Sequence, residues 1–190
     1  MLLSIFAFEV CQPMATSNHE YLRRLLSDPP ETTSVGDKWS FYQSVFQAIS
    51  ANVPQLTHGC WDYFDDDKRA RHDFDNWAET LHTHGGVRQE ESTDDEGPYR
   101  VQTLYTTLTA AFLIKRDTDC DQALRSLTEI PESQLWKRAS FARIFAGLGA
   151  LNFASIKSDV VYLIPRDTGL GLTLEDLSKP DFDYLRPIED

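Results

Sequence analysis

The sequence predicts an α+β fold, in which a small β-sheet is covered by amphipathic helices. Residues 101–114 carry no charge, Gly or Pro and are rich in Val, Thr, Tyr, Phe and Ile, which suit a pleated, half-buried surface. Residues 159–164 form a second run of this composition, in which Asp159 is the only charged residue and which Pro165 ends. Other segments repeat apolar residues at three- and four-residue steps, the spacing of a helix face. We therefore predict a central strand near 101–114 and a second strand near 159–164.

The amino-terminal residues 1–13 are apolar and end at Pro13. They lack a basic start and carry Glu9, so they make a poor signal peptide. We predict an apolar arm or edge strand here, followed by one α+β domain over residues 14–190. Residues 2–10 and 184–188 are the candidates for further strands of the sheet.

Two helices are predicted before residue 55. The first covers about 20–26, after the capping residues 16–20, and it ends before the two prolines at 29 and 30. The second covers about 38–52, where apolar residues recur at helical spacing until Pro54.

A third, highly charged helix is predicted over about 61–84. Acids at 65–67 precede bases at 68–71, an order that suits the helix dipole, and Gly85 with Gly86 would end it. The acidic residues 88–97 show no apolar periodicity and are predicted to form an exposed loop.

Two helices are predicted between the strands, over about 120–129 and 133–148. Asp119 or Asp121 can cap the first, and Pro131 separates the two. The order strand–helix–helix–strand permits a parallel or an antiparallel pair of strands. Residues 180–188 are predicted to lie across the body as an aromatic tail.

The composition limits the classes of partner. The formal net charge is −12 and no basic stripe occurs, which argues against binding nucleic acid or an anionic membrane surface. No apolar run approaches the roughly 20 residues of a membrane span. The three cysteines are far apart and form no CxxC pair, which favours reduced thiols in a cytoplasmic compartment.

The candidate metal ligands are concentrated in one short stretch. A zinc site needs about four nitrogen or sulfur ligands, and His58 with Cys60, or His82 with His84, offers a pair. The spacing matches no zinc module, and histidines near a helix end also suit its dipole. We therefore predict no metal and no cofactor, and we keep these residues as the candidates for the opposite outcome: His58, Cys60, His72, His82 and His84.

Residues 70–188 resemble a family of proteins of unknown function from cyanobacteria and chloroplasts. The resemblance includes Tyr99–Leu104 as Tyr-x-Val-x-Thr-Leu, Phe145–Leu151 with its Leu-Gly, and Val160–Pro165 as a strand that closes in Pro. Where the family has Trp before this proline, Ile164 stands here. The resemblance implies an α+β fold and a photosynthetic lineage, with the chloroplast stroma as the alternative location, and it implies no catalytic residues.

No catalytic constellation stands out, so the sequence favours a non-enzymatic protein that binds another protein. We expect an accessory or assembly factor that acts through an acidic surface and through the apolar arm or the tail. The partner would have a basic surface, and homo-oligomers through residues 1–10 are a further expectation. Two alternatives stay open: a zinc-dependent enzyme or module that uses the histidine and cysteine cluster, and a carrier of a small ligand.

Overall fold

A computed structural model of the chain describes residues 1–27, 29, 34–83, 103–165 and 171–190, with the backbone alone for residues 80–83. Short 3₁₀ turns occupy Glu132–Gln134 and Leu148–Ala150. The elements of the described part are, in order, β1 (Leu3–Pro13), α1 (Ser17–Ser27), α2 (Val35–Asn52), β2 (His58–Phe64), α3 (Asp67–Thr83), β3 (Tyr105–Lys115), α4 (Asp119–Thr128), α5 (Arg138–Gly147), β4 (Ile156–Ile164) and β5 (Arg186–Pro187).

The strands form one antiparallel sheet in the order β4-β3-β1-β2-β5. The α+β class and the two strands predicted from residues 101–114 and 159–164 are confirmed, and these strands pair directly with each other. The pairing is antiparallel, so the two intervening helices return the chain without a parallel crossover. Residues 101 and 102 lie outside the described part.

The middle of the sheet is β1, not β3. The prediction of an arm or edge strand at residues 1–13 was therefore wrong, because β1 pairs with β2 on one side and with β3 on the other. Every residue from Leu3 to Gln12 is buried, including Ser4 and Glu9. A strand covered on both faces is apolar on both faces, and that pattern looks the same as a hydrophobic arm. Only Met1 and Leu2 of this segment remain exposed, which leaves little surface there for the homo-oligomers predicted through residues 1–10.

Each face of the sheet is covered by a different layer. The first face carries Phe6, Phe8 and Val10 of β1 and packs against α1, α2, α4 and α5. The second face carries Ile5, Ala7 and Glu9 and is covered by α3 and by residues 172–185. The aromatic tail predicted at 180–188 does lie across the sheet, and its end supplies β5.

The charged helix predicted over 61–84 is in fact a strand followed by a shorter helix. Residues His58–Phe64 form β2, and α3 begins only at Asp67. The side chain of Asp66 accepts the backbone N–H of Arg69 at 2.8 Å, so this aspartate caps the helix. Aromatic residues at 61, 63 and 64 favour a strand, and the acidic run that follows them favours a helix start.

The other predicted helices occur with shifted ends. The helix predicted at 133–148 begins five residues later, at Arg138, because a 3₁₀ turn occupies Glu132–Gln134. The helices predicted at 20–26, 38–52 and 120–129 are α1, α2 and α4. The acidic loop predicted at 88–97 lies outside the described residues.

Candidate functional site

The outer edge of β2 is open along most of its length in the described part of the chain. Strand β5 pairs only with His58 and Gly59, so no described strand pairs with residues 60–64 on the side away from β1. A cleft of about 450 Å³ lies against this edge. We call it the edge cleft, and its lining consists of Cys60, Trp61, Asp62, Asp73, Asn76, Trp77, Trp136 and Tyr184.

The main chain of Trp61 faces the edge cleft. Strand β5 pairs with Gly59 at Arg186 and with His58 at Pro187, and the Ile188 N–H donates to the Thr57 oxygen at 2.9 Å. This pattern makes His58 and Pro187, which has no N–H, the non-hydrogen-bonded pair, so the main-chain groups of Gly59 face β5 on the outer side of β2. Successive residues of a strand direct these groups to alternate sides, so those of Trp61 and Tyr63 are also on the outer side. The side chain of Asp62 already accepts the N–H of Tyr63 at 2.9 Å. Trp61 therefore presents the N–H and C=O that an added strand needs.

Aromatic side chains from four separate elements form the walls of the edge cleft. Trp61 lies on β2, Trp77 on α3, Trp136 in the turn before α5 and Tyr184 in the carboxyl-terminal segment. The rings of Trp77 and Tyr184 are 6.0 Å apart between centroids and stand at 89° to each other, which makes a corner of two perpendicular faces. Trp61 Nε1 is buried and has no hydrogen-bond acceptor among the described residues.

Two carboxylates give the edge cleft its charge, and its described lining includes no lysine or arginine. Burial raises the pKa of Asp62, and the negative charge of Asp73 adds to this, whereas the Tyr63 N–H and the Arg69 guanidinium oppose it. Arg69 Nε lies 3.3 Å from Asp73 Oδ2, and the guanidinium stacks on the ring of Phe64 at 3.3 Å. The cation nearest the two acids is thus held at the edge of the site, against the Phe64 ring.

The floor of the edge cleft leads to a buried carboxyl group. Glu9 is fully buried and pairs across the sheet with Cys60, and its Oε2 accepts the hydroxyl of Tyr184 at 2.9 Å. Burial, and then the negative charge of Glu9, raise the pKa of Tyr184, so the phenol stays protonated and donates. The tail is thereby attached to the centre of the sheet.

The thiols do not support nucleophilic catalysis. Burial, followed by the charge of Glu9, raises the pKa of Cys60 far above its ordinary value. Burial also raises the pKa of Cys11 to about 12. A thiol reacts as its thiolate, and groups that stay protonated at neutral pH are poor nucleophiles. The cysteine that lines the cleft therefore acts as a small apolar wall.

The predicted metal candidates are only partly brought together. His58 and Cys60 share the second face of β2, whereas His72 is exposed on α3 with its Nε2 3.3 Å from Asn76 Nδ2. The side chain of His82 and all of His84 lie outside the described part. Among the described residues, no group of three or more His, Cys, Asp and Glu side chains is arranged to hold a metal ion.

Sequence reasoning missed the aromatic residues of the site. The sequence has four tryptophans, but only the fold shows that Trp61, Trp77 and Trp136 line one cleft. A usable signal is the sequence Trp61-Asp-Tyr-Phe64, which places one acid among three aromatic residues, and aromatic residues favour a strand.

The opposite edge of the sheet carries a smaller hollow of about 300 Å³ beside β4. Its carboxylate, Asp159, accepts hydrogen bonds from Lys38 Nζ at 2.5 Å and from the Tyr42 hydroxyl at 2.9 Å. A half-buried acid with two such partners is satisfied within the fold. The acid beside β4 is therefore part of a structural ion pair. The acids of the edge cleft, in contrast, face open space.

The partly buried His58 predicts a pH dependence of stability. Burial lowers the pKa of His58 below its ordinary value of 6.5, so the folded state binds fewer protons than the unfolded state as the pH falls through that region. The free energy of unfolding therefore decreases between about pH 7.5 and 5.5. In His58→Gln this decrease, measured by urea denaturation, is smaller. The exposed His72→Gln serves as the control and keeps the original decrease; an unchanged decrease in His58→Gln contradicts the assignment.

No helix in the described part of the chain is both long enough and apolar enough to cross a membrane.

The fold and the site together define an α+β protein with an aromatic and acidic cleft at one edge of an antiparallel sheet. The chain matches no family model, no curated protein and no solved structure. The resemblance of residues 70–188 to the cyanobacterial and chloroplast family stays a prediction.

Proposed function

We propose that the chain is a protein-binding protein that receives an extended, basic segment of its partner along the open edge of β2. The observation that carries the proposal is the edge cleft itself, in which a stretch of strand that pairs with no described strand on its outer side lies beside three indoles, a phenol and two carboxylates. An accessory or assembly role, in a cytoplasmic or stromal compartment, is part of the same proposal. The contact surface differs from the expected arm, because β1 is buried.

Main-chain hydrogen bonds would supply the first part of the affinity. A peptide that adds to a sheet edge pairs with outward N–H and C=O groups, and pockets beside the edge select alternate side chains. Trp61 offers such a pair of groups. The pairing stops naturally at Tyr63, whose N–H is already bonded to the side chain of Asp62.

Charge would select the sequence of the segment. A residue of the added strand that lies opposite Asp62 points to the second face, where Asp73, Trp77 and Tyr184 also line the cleft. A lysine or arginine there meets two carboxylates and aromatic ring faces, which attract cations. The net charge of −12 favours the approach of a basic partner from a distance.

A titration with two designed peptides tests the proposal. The first is acetyl-Thr-Lys-Val-Lys-Val-Lys-Thr-amide, and the second has Glu in place of every Lys. Tryptophan fluorescence and calorimetry should show binding of the lysine peptide, at least about tenfold tighter than the glutamate peptide. Equal binding of the two peptides, or no binding of either, contradicts the proposal.

Backbone methylation shows whether the peptide binds as a strand. One version of the lysine peptide is N-methylated at both valines and another at the three lysines. In an added strand one set of N–H groups faces β2 and the other faces solvent, so one version should lose binding and the other keep it. If both versions bind like the unmodified peptide, the main chain of β2 takes no part.

A charge-matched pair of variants locates the site. Asp62→Asn combined with Asp73→Asn should weaken the lysine peptide by roughly tenfold. Glu129→Gln combined with Glu175→Gln removes the same charge from exposed positions away from the cleft and should leave binding nearly unchanged. Equal weakening by both pairs would indicate attraction by net charge alone.

A further inference from the structure

We infer that the cation received by the edge cleft is an alkylated ammonium group, the side chain of a methylated lysine in the partner segment. This inference rests on the proposed function and names the chemical class of its ligand. Most of the walls of the edge cleft are aromatic, and two carboxylates supply negative charge. That combination suits an alkylated ammonium group, which keeps its charge and needs fewer hydrogen-bond acceptors than an ordinary one.

The aromatic walls suit a cation without N–H groups. Trp77 and Tyr184 form a perpendicular corner on the second face of the sheet, and Trp61 and Trp136 line the cleft from the first face, around the edge of β2. The faces of indole and phenol rings attract cations, and cages of such rings are a known means of recognising quaternary ammonium groups. A volume of about 450 Å³ is within the range of small-ligand sites.

Hydrogen-bond acceptors form a small part of the walls. The Tyr184 hydroxyl donates inward to Glu9, so this residue presents its ring and not its oxygen. Asp62 Oδ1 accepts the Tyr63 N–H, and Asp73 Oδ2 accepts from Arg69 Nε, so Asp62 Oδ2 and Asp73 Oδ1 are the carboxylate oxygens without a described donor. Trp61 Nε1 is a donor and cannot accept from an ammonium group. Asn76 is a further polar residue of the walls, and its amide nitrogen lies 3.3 Å from His72 Nε2.

The aromatic walls penalise an unmodified lysine. An ammonium group is compact and strongly hydrated, and its three N–H donors need new acceptors when water is removed. Ring faces do not replace those acceptors, and Asp62 and Asp73 are the only carboxylates in the described lining. Methylation keeps the positive charge and removes donors, so less hydration is lost on entry. The charge of the two carboxylates attracts the methylated group as well.

A peptide series tests the ligand class. The lysine peptide described above is compared with versions whose central Lys is replaced by trimethyllysine or by its neutral analogue, in which carbon replaces the charged nitrogen. We expect the trimethyllysine peptide to bind about tenfold tighter than the lysine peptide, and the neutral analogue to lose that gain. Equal affinity of the lysine and trimethyllysine peptides overturns the inference but leaves the proposed function standing.

The remaining outcomes are also decisive. If none of the peptides binds, both the inference and the proposed function are overturned. Free choline, titrated in parallel, should bind far more weakly than the trimethyllysine peptide. If choline binds equally or more tightly, the inference that the ammonium group belongs to a partner peptide is overturned. If the neutral analogue binds as tightly as trimethyllysine, the pocket recognises apolar groups, and the inference that it recognises a cation is overturned.

Variants in the walls connect the preference to the cleft. Trp77→Leu should reduce the trimethyllysine preference to about twofold or less, whereas Trp77→Phe retains most of it. Trp136→Leu gives an independent reading should Trp77→Leu fold poorly. Trp39→Leu changes an exposed indole on α2 that does not line the edge cleft, and it should keep the full preference. A full preference in both cleft variants overturns the inference.

Discussion

Replacement of Asp121 by alanine is expected to lower the free energy of unfolding by about 4 kcal/mol. Asp121 is 1% exposed, and its carboxylate joins three parts of the fold. Oδ1 accepts the hydroxyls of Ser4 on β1 and Tyr63 on β2, the latter at 2.7 Å, and Oδ2 accepts the Asp117 N–H at 2.9 Å. Removal of the carboxylate leaves these donors without an acceptor, and the Ser4 hydroxyl is fully buried.

Urea denaturation at neutral pH, followed by circular dichroism and tryptophan fluorescence, measures this loss. Asp119→Ala is the matched control because Asp119 lies in the same first turn of α4 but is exposed. It removes a similar favourable interaction with the helix dipole, which is worth about 0.3–1 kcal/mol. A similar loss in both variants would contradict the role assigned to the buried hydrogen bonds.

Replacement of Tyr184 by phenylalanine is expected to lower the free energy of unfolding by about 1–3 kcal/mol. The hydroxyl is the donor that the tail supplies to Glu9, and a buried carboxyl group that loses a donor is not compensated by water. The ring itself remains, so the apolar contacts with Trp77 are kept. The cost is therefore that of the hydrogen bond and not of a cavity.

Tyr21→Phe, at an exposed tyrosine on α1, is the control and should change stability by less than about 0.5 kcal/mol. In a Glu9→Gln background the Tyr184 substitution should cost less, because a neutral amide oxygen is the weaker acceptor. Additive effects of the Glu9 and Tyr184 substitutions would show that the two groups do not interact.

The sequence was informative where a strand or helix had one clear pattern. Strand β3 was recognised from its uncharged, β-branched residues, and α2 was recognised from its helical spacing. Strand β1 was misjudged because burial on both faces removes the alternation that marks a half-buried strand. Residues 61–64 fall within the helix predicted over 61–84 because the acids at 65–67 and the bases at 68–71 that follow them suit a helix dipole.

The candidate site could not be predicted from spacing along the chain. The edge cleft is lined by residues that are far apart in the sequence, Trp61, Trp136 and Tyr184. They line one space because β2 lies next to the edge of the sheet and the tail returns across its second face. The histidines drew attention because they are close in sequence, yet His58 lies on the sheet and His72 on the exposed side of α3. Sequence proximity is a weak guide where strand order decides which residues meet.

Amide hydrogen exchange on the complex with the trimethyllysine peptide tests the central claim, that the edge of β2 receives a strand. The N–H of Trp61 faces the edge cleft, whereas that of Cys60 faces β1 and is already within the sheet. Saturation with peptide should slow exchange at Trp61 by at least about tenfold and leave Cys60 nearly unchanged. Binding without slower exchange at Trp61 would contradict strand addition.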